Sequence, residues 1–393
     1  MSLIDRIKTL NANYFDELIE IRHFLHAHPE LSFEEKGTSD FISGKLTKYG
    51  IEHERDWGGH GIVAHIINDP TFATIALRAD IDALPIHEEN EVPYKSLNQG
   101  VMHACGHDVH TTSLLGASRI LKELGKEAKK NFRIIFQPGE EKLPGGASIL
   151  IKQGVLKKPV PTCIIGLHVY PSMEAGKVGF RKGMYMASAD EIYLEVNGKG
   201  GHAAMPQNNV DTILMAATII QNLQQVVSRK ADPTIPSVLS LGKIHSEGGA
   251  TNIIPDIVKI EGTFRTMDEK WRLQAHEYIK EICEHTAESM GGFCKVDIQK
   301  GYPFLINDEK ITDKATLAAQ NYLGNDRVED LPIRMTSEDF AFYSQEIPAC
   351  FYRLGTGNRQ KGITSSVHTP TFDIDESSLR ISSGLMAYIA ISQ

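Results

Sequence analysis

Cys105 and His107 stand two residues apart with Gly106 between them, in a run from Met102 to His110 that also holds His103, Asp108 and His110. A thiolate and a neutral imidazole are both good ligands for a borderline-soft divalent ion such as zinc. Glycine between them lets the backbone turn tightly, so both side chains can face one centre. Any one of these histidines is equally well explained by a polar helix start. Three imidazoles, a thiol and a carboxylate within eight residues favour a metal centre.

Further donors follow along the chain. Asp80 and Asp82 sit two apart after a predicted strand at 74–79, on one face of an extended chain. Gln137-Pro138-Gly139-Glu140-Glu141 ends a second alternating strand, at 131–136. Adjacent glutamates on extended backbone face opposite ways, so Glu141 can hold a metal while Glu140 addresses something beside it. His168 closes a third apolar strand, at 162–167. Alone, loop aspartates serve turns and a glutamate pair can be a solvated corner. Together they fall on the carboxyl edge of one α/β sheet, where such folds place their sites. Paired divalent ions at such a site activate water and clamp the oxygens of a hydrolytic transition state. Zinc lowers the pKa of its water from about 15.7 to about 7. Glu140, left off the metal, is the natural general base.

The elements needed to position these groups are legible in outline. An amphipathic helix at 14–27 carries Phe15, Leu18, Ile21 and Leu25, and Pro29 stops it. His23, His26 and His28 on and after it are taken as packing or surface residues. A second helix is predicted at 34–49, a strand at 61–68, and a helix at 111–123. Strands alternating with helices imply a mostly parallel sheet within a mixed α/β fold. From Met184 the rhythm becomes β-α-β-β-α-β, with strands at 189–197, 237–245, 257–265 and 293–300 and helices at 211–228 and 268–290. That order is the signature of a ferredoxin-like α+β unit. Its first helix has an apolar stripe of Ile213, Ala217, Ile220, Leu223 and Val227, taken as core. α/β character resumes at Ile311. The expected organisation is a catalytic domain over 1–183 and 301–393, with a small domain, 184–300, inserted in it.

The insertion offers its own polar groups. His202 lies in the glycine-flanked loop Gly198 to Pro206, Asn252 in Thr251 to Pro255, and Arg265 in Gly262 to Thr266. A His or Asn donor aimed at a developing oxyanion is worth on the order of 100-fold to 1000-fold in rate. An arginine fork matches a carboxylate with two parallel bonds.

Composition sets the limits. A chain of 393 residues exceeds one ordinary core, so two domains are expected. The net charge of −9, without a basic stripe, excludes a nucleic-acid surface. Five cysteines with no C-x-x-C pair make no disulfide framework and fit a reducing compartment. Met1 to Asn13 lacks the pattern of a signal peptide, and no apolar run has the length to span a membrane. A soluble cytoplasmic protein is expected.

Ten segments in order, HAHPELSFEE, LRADIDALP, MHACGHDVH, QPGEE, GLHV, GKGGHAAMP, TNIIPD, GTFRT, SEDFAFY and VHTPTFDIDE, run nearly end to end. They resemble the M20 metallopeptidase family, and within it the amidohydrolase branch of hippurate hydrolases, N-acetyl-amino-acid deacetylases and plant auxin-conjugate hydrolases. The resemblance implies a catalytic domain with two divalent ions (zinc, manganese, cobalt or nickel) and an inserted lid that also dimerises. It assigns the metal to Cys105, His107, Glu141, His168 and His368, the last of which spacing alone does not single out. It places the general base at Glu140 and gives Asp80 and Asp82 a role in orienting the ligands. His202 and Asn252 match residues contacting the substrate carbonyl or its carboxylate, and Arg265 matches a carboxylate contact. The lid histidine of related proteins can serve the partner subunit. Gly139 and the turn Lys142 to Gly146 depart from the common pattern without touching a ligand. The implied reaction is hydrolysis of an N-acyl amino acid to a carboxylate and a free amino acid. A dinuclear dipeptidase or aminopeptidase is the nearest competitor, and Cys105, in place of a carboxylate, favours the amidohydrolase. A catalytically silent binding dimer is a third reading, opposed by the completeness of the ligand set.

Overall fold

A computed structural model describes residues 1–393. The chain begins with helices α1 (Leu3–Ala27) and α2 (Lys36–Lys48) and strands β1 (Glu52–Trp57), β2 (Gly61–Ile66) and β3 (Thr74–Asp80). Helix α3 (His107–Leu124), β4 (Asn131–Gln137), α4 (Gly146–Gln153), β5 (Cys163–Glu174) and β6 (Val178–Phe180) follow. Next come β7 (Asp190–Asn197), α5 (Thr212–Gln225), β8 (Ser237–Ser246), β9 (Ile257–Thr266), α6 (Glu269–Ser289) and β10 (Phe293–Lys300). The chain ends with α7 (Glu309–Leu323), β11 (Val328–Asp330), α8 (Ala341–Glu346), β12 (Ala349–Gly357) and α9 (Leu379–Ile391). Two compact units result. One comprises Met1–Tyr185, Ile306–Ile333 and Asp339–Gln393, the other Met186–Leu305 with Arg334–Glu338.

The first unit is built on an eight-stranded sheet of order β1-β2-β4-β3-β5-β12-β6-β11. Its central strands β4, β3, β5 and β12 are parallel, so their carboxyl ends share one edge. β3 and β4 are buried along their whole length, which suits the near-continuous apolar runs of parallel strands. Helices α1, α3 and α9 pack together, bringing Leu18, Ile21, Leu25, Leu114, Leu121, Leu385 and Ile389 into one core.

Several boundaries differ from the sequence expectation, each for a physical reason. Helix α1 starts at Leu3, not Tyr14, because Ser2 and Asp5 form a reciprocal capping box. The polar Asn11 within it is buried, where its amide accepts from Gly384 N at 3.0 Å and donates to Arg380 O. Strand β1, the polar segment EHERDW, carries no apolar alternation and is held by antiparallel pairing with β2. Helix α3 begins at His107, so His107 and His110 lie in its first turn while His103 and Cys105 precede it. His168 lies inside β5, not at its end.

The second unit is a four-stranded antiparallel sheet, β8-β9-β7-β10. Helices α5 and α6 pack on it through Met215, Ile219 and Leu223 and through Ala275, Ile279 and Cys283. The apolar stripe expected on α5 is only partly buried: Leu223 is in the core and Ile220 and Val227 pack against it, but Ile213 and Ala217 face outward. Thr212, Met215, Ala216, Ile219 and Leu223 are buried, while Ile213 is 45% exposed and Leu214 57%. Apolar residues occur all round this helix, so periodicity could not choose the buried face. No helix of the protein is long and apolar enough to cross a membrane.

Candidate metal centre

Five segments of the first unit bring donors together at the carboxyl edge of the parallel strands. Cys105, His107 and His168 offer ligand atoms all within 4.8 Å of one another, and so do Cys105, Glu141 and His368. Cys105 belongs to both groups. Its Sγ lies 3.4 Å from His168 Nε2 and 3.3 Å from His368 Nε2.

His107 and His168 are each turned by their other ring nitrogen. His107 Nδ1 lies 2.9 Å from the Asp82 carbonyl oxygen and 3.2 Å from Asp82 Oδ1. His168 Nδ1 lies 2.8 Å from the Val169 carbonyl. A carbonyl only accepts, so Nδ1 carries a proton and Nε2 is the nitrogen left to face the cluster. His107 Nε2 and Glu141 Oε1 are buried without a hydrogen-bond partner. Buried polar atoms are rarely left so. A cation among these donors satisfies both, and the mixed S, N and O set suits a borderline divalent ion.

The local field favours the same conclusion. Burial alone would lower His107, but Asp80, Asp82 and Glu141 outweigh it and push it up to about 10. Burial and the charges of Glu141, Glu140 and Asp80 push the Cys105 thiol well up. Positive charge at the cluster reverses that field and favours the thiolate. Burial, then Arg353, holds His168 well below its ordinary value, in the neutral form that ligates.

The remaining histidines of the run do other work. His110 uses both nitrogens, Nδ1 at 2.5 Å from Asp80 Oδ1 and Nε2 accepting from Val169 N at 2.9 Å. His103 is buried, and burial pulls it down to about 4. Asp82 accepts from Ser32 Oγ at 2.6 Å and from Glu141 N at 3.0 Å, so it orients His107 and the glutamate turn at once. Asp80 receives Arg78 Nη1 at 2.7 Å. Glu140 is buried and accepts the Asp339 N–H at 3.2 Å. Asp339 takes Arg78 Nη2 at 2.6 Å and Gln137 Nε2 at 2.7 Å. Glu35 receives the Gly139 N–H at 2.8 Å, and burial with the Asp82 charge pushes it up to about 7. Sequence reasoning gave Asp339 and Glu35 no role, although both lie in quoted motifs. His368 has φ 62, and its N–H donates to Ala104 O at 2.8 Å.

In the second unit, Ile253 pairs with His202 in a two-stranded ribbon, and Ala203 N donates to Asn252 O at 2.9 Å. His202 and Asn252 are thus neighbours, both exposed. His202 Nδ1 accepts the Ala204 N–H at 3.1 Å, which leaves Nε2 as the protonated donor of a neutral ring. Arg265, half-buried on β9, donates through Nη1 to Met335 O at 3.2 Å and Ser337 Oγ at 3.4 Å. It therefore helps attach Arg334–Glu338 to this unit.

A mostly parallel α/β sheet with these donors on its carboxyl edge defines a metal-dependent hydrolase. Residues 76–391 match Peptidase family M20/M25/M40, and the chain belongs to that family. It is 41% identical over 364 residues to N-acetyl-L-cysteine deacetylase of Bacillus subtilis, covering 92% of this chain and 85% of the relative. It is 35% identical over 394 residues to thermostable carboxypeptidase 2 of Saccharolobus solfataricus, covering 100% and 99%. A solved structure, the Bacillus subtilis YXEP protein, a dinuclear metal binding peptidase from the M20 family, matches with TM-score 0.82 at 33% identity, covering 97% and 98%. The family resemblance and the α/β fold expected from the motifs are both borne out.

Proposed function

We propose that this protein hydrolyses the amide bond of N-acyl amino acids, with two divalent ions held by Cys105, His107, Glu141, His168 and His368. The observation carrying this reading is the Cys105 sulfur shared by two donor groups, beside the buried His107 Nε2 and Glu141 Oε1, which make no hydrogen bond and lie among the other donors, Glu141 Oε1 3.2 Å from His368 Nε2. When bound, such ions supply Lewis acidity and make hydroxide accessible near neutral pH. The protein's own residues do the rest. Glu140, fixed by the Asp339 N–H, takes one proton of the attacking water. It delivers that proton to the leaving nitrogen as the C–N bond breaks. Asp82 keeps His107 and the 140–141 turn in register. His202, through Nε2–H, and Asn252 steady the developing oxyanion, and Arg265 receives the substrate carboxylate.

The names of both relatives, a deacetylase of N-acetyl-L-cysteine and a carboxypeptidase, describe substrates that carry a free carboxylate near the amide that is cut. This supports a free α-carboxylate as the recognised group. We assign residues 184–300 to the lid and infer that it pairs two copies of the chain. Support comes from the edge strand β8, with Ile244 57% exposed, and from the outward Ile213 and Leu214 of α5. A reducing, cytoplasmic setting fits five free cysteines.

The test is a metal-reconstituted assay across acetyl, benzoyl and longer acyl derivatives of several amino acids, with dipeptides alongside. Hydrolysis of acyl amino acids is expected, and activity confined to dipeptides would overturn the substrate class. Glu140→Gln is expected to keep its metal and lose about 100-fold to 10,000-fold in kcat. Undiminished turnover by that variant removes Glu140 from the role of base.

A further inference from the structure

Arg22 lies near the C-terminal end of α1, far along the chain from every donor, yet it is fully buried. Its guanidinium meets three carboxylates. Nε is 3.0 Å from Asp108 Oδ2, Nη2 is 2.6 Å from Asp373 Oδ1, and Nη1 is 3.1 Å from Glu376 Oε1. Asp108 directly follows His107 in the first turn of α3. Asp373 and Glu376 lie on the segment that follows His368. One planar fork therefore joins the chain that carries Cys105 and His107 to the chain that carries His368.

The junction is reinforced on each side. His26, one helical turn beyond Arg22, places Nδ1 2.9 Å from Asp108 Oδ2 and Nε2 3.2 Å from Glu88 Oε1. Tyr94 donates to Asp373 Oδ2 at 2.9 Å while its ring lies 4.6 Å under the Arg22 guanidinium. Glu89 N donates to Pro370 O at 2.8 Å, and Asn90 Nδ2 to Phe372 O at 2.8 Å. An arginine satisfies three acceptors in fixed directions. A lysine ammonium on the same stem cannot hold the same planar arrangement.

We propose that Arg22 is a positioning residue of the metal centre, setting the distance between the Cys105–His107 turn and the His368 loop and so the spacing of the two ion sites. The inference rests on the ligand assignment above. A purely structural Arg22 would fasten α1 to the core and leave the folded centre's metal affinity untouched.

The metal-free wild type, Arg22→Lys and Asp373→Ala are titrated with cobalt(II). Thiolate-to-cobalt absorption and competition with a chromophoric chelator are followed, and melting of the metal-free proteins is recorded alongside. The wild type is expected to take two ions with a thiolate band. Asp373→Ala, which removes one of the guanidinium's two contacts to the segment after His368 together with the Tyr94 bond and leaves the Asp108 contact in place, is expected to weaken one ion at least tenfold and leave the other within twofold. Arg22→Lys is expected to weaken both at least tenfold. Variants that fold and bind both ions with wild-type affinity overturn the inference, even if they melt earlier. Should Arg22→Lys not fold, Asp373→Ala decides alone. A wild type that takes fewer than two ions or shows no thiolate band overturns the ligand assignment itself, before any variant is compared.

Discussion

Replacing Gly106 by alanine tests whether the turn between Cys105 and His107 is as tight as the donor geometry requires. Gly106 has φ 83 and ψ 21, in the left-handed region. There an L-residue costs roughly 1–2 kcal/mol. A Cβ built on it lies 2.6 Å from Val169 Cγ2, 3.1 Å from Val169 Cγ1 and 3.3 Å from Phe372 Cζ. Crowding a packed site by one methyl typically costs about 1–3 kcal/mol. Gly106→Ala is therefore expected to destabilise the first unit by about 2–5 kcal/mol. The strain falls on the centre as well, since Val169 follows His168 and Phe372 follows the His368 turn.

The two units make a single unfolding curve ambiguous. The two tryptophans resolve this, because Trp57 lies in the first unit and Trp271 in the second. Urea unfolding of the metal-free protein, followed by fluorescence in a Trp271→Phe background, reads the first unit alone. Adding Val169→Ala removes the two nearest atoms that the new Cβ meets but leaves Phe372 Cζ and the backbone strain. The double variant is thus expected to recover about 1–3 kcal/mol relative to additivity. A loss below about 1 kcal/mol for Gly106→Ala, or strict additivity with Val169→Ala, would refute the reasoning.

Asp375 provides a prediction about acid. Burial works to raise it, but the Ser377 N–H, the Asn358 amide and Lys361 outweigh burial and hold its carboxyl at about 2, below the ordinary 3.8. A depressed carboxyl stabilises the fold above its unfolded pKa, and that stabilisation is lost as pH falls from about 4 to about 2. It amounts to about 2 kcal/mol. The stability gap between wild type and Asp375→Asn is expected to narrow across that window in acid–urea titrations, and a constant gap would exclude the linkage. For Arg265→Ala, kcat/KM on substrates with a free carboxylate is expected to fall about 10-fold to 150-fold, the worth of a hydrogen bond to a charged group. The corresponding amides should be nearly unaffected. Equal losses on both would mean that Arg265 acts only by anchoring Arg334–Glu338 through Met335 and Ser337.

What could be read from the chain beforehand follows the range of the forces involved. Cys105-Gly106-His107 was legible because a glycine turn is a local device and both donors sit on it. The parallel strands were legible because they are short apolar stretches set between helices, although β4 reads as alternating while both its faces are buried. The buried face of α5 was not, since its sequence is apolar on more than one side and only the sheet beneath it selects Met215 and Ile219 over Ile213 and Ala217. Strand β1 was hidden for the opposite reason. Its residues are polar, and β2 alone makes it a strand. His368 marks the limit most clearly. Ser365, Ser366 and Thr369-Pro370 mark a loop there but do not single out His368 as a donor, and its left-handed backbone is the kind of conformation that persists only when the surroundings over-determine it. The surroundings are its N–H bond to Ala104 O, one residue before Cys105, and, through Asp373, the buried Arg22. The proposed second ion site therefore depends on contacts between distant segments. Substitutions in α1 should disturb it as surely as substitutions beside the ligands.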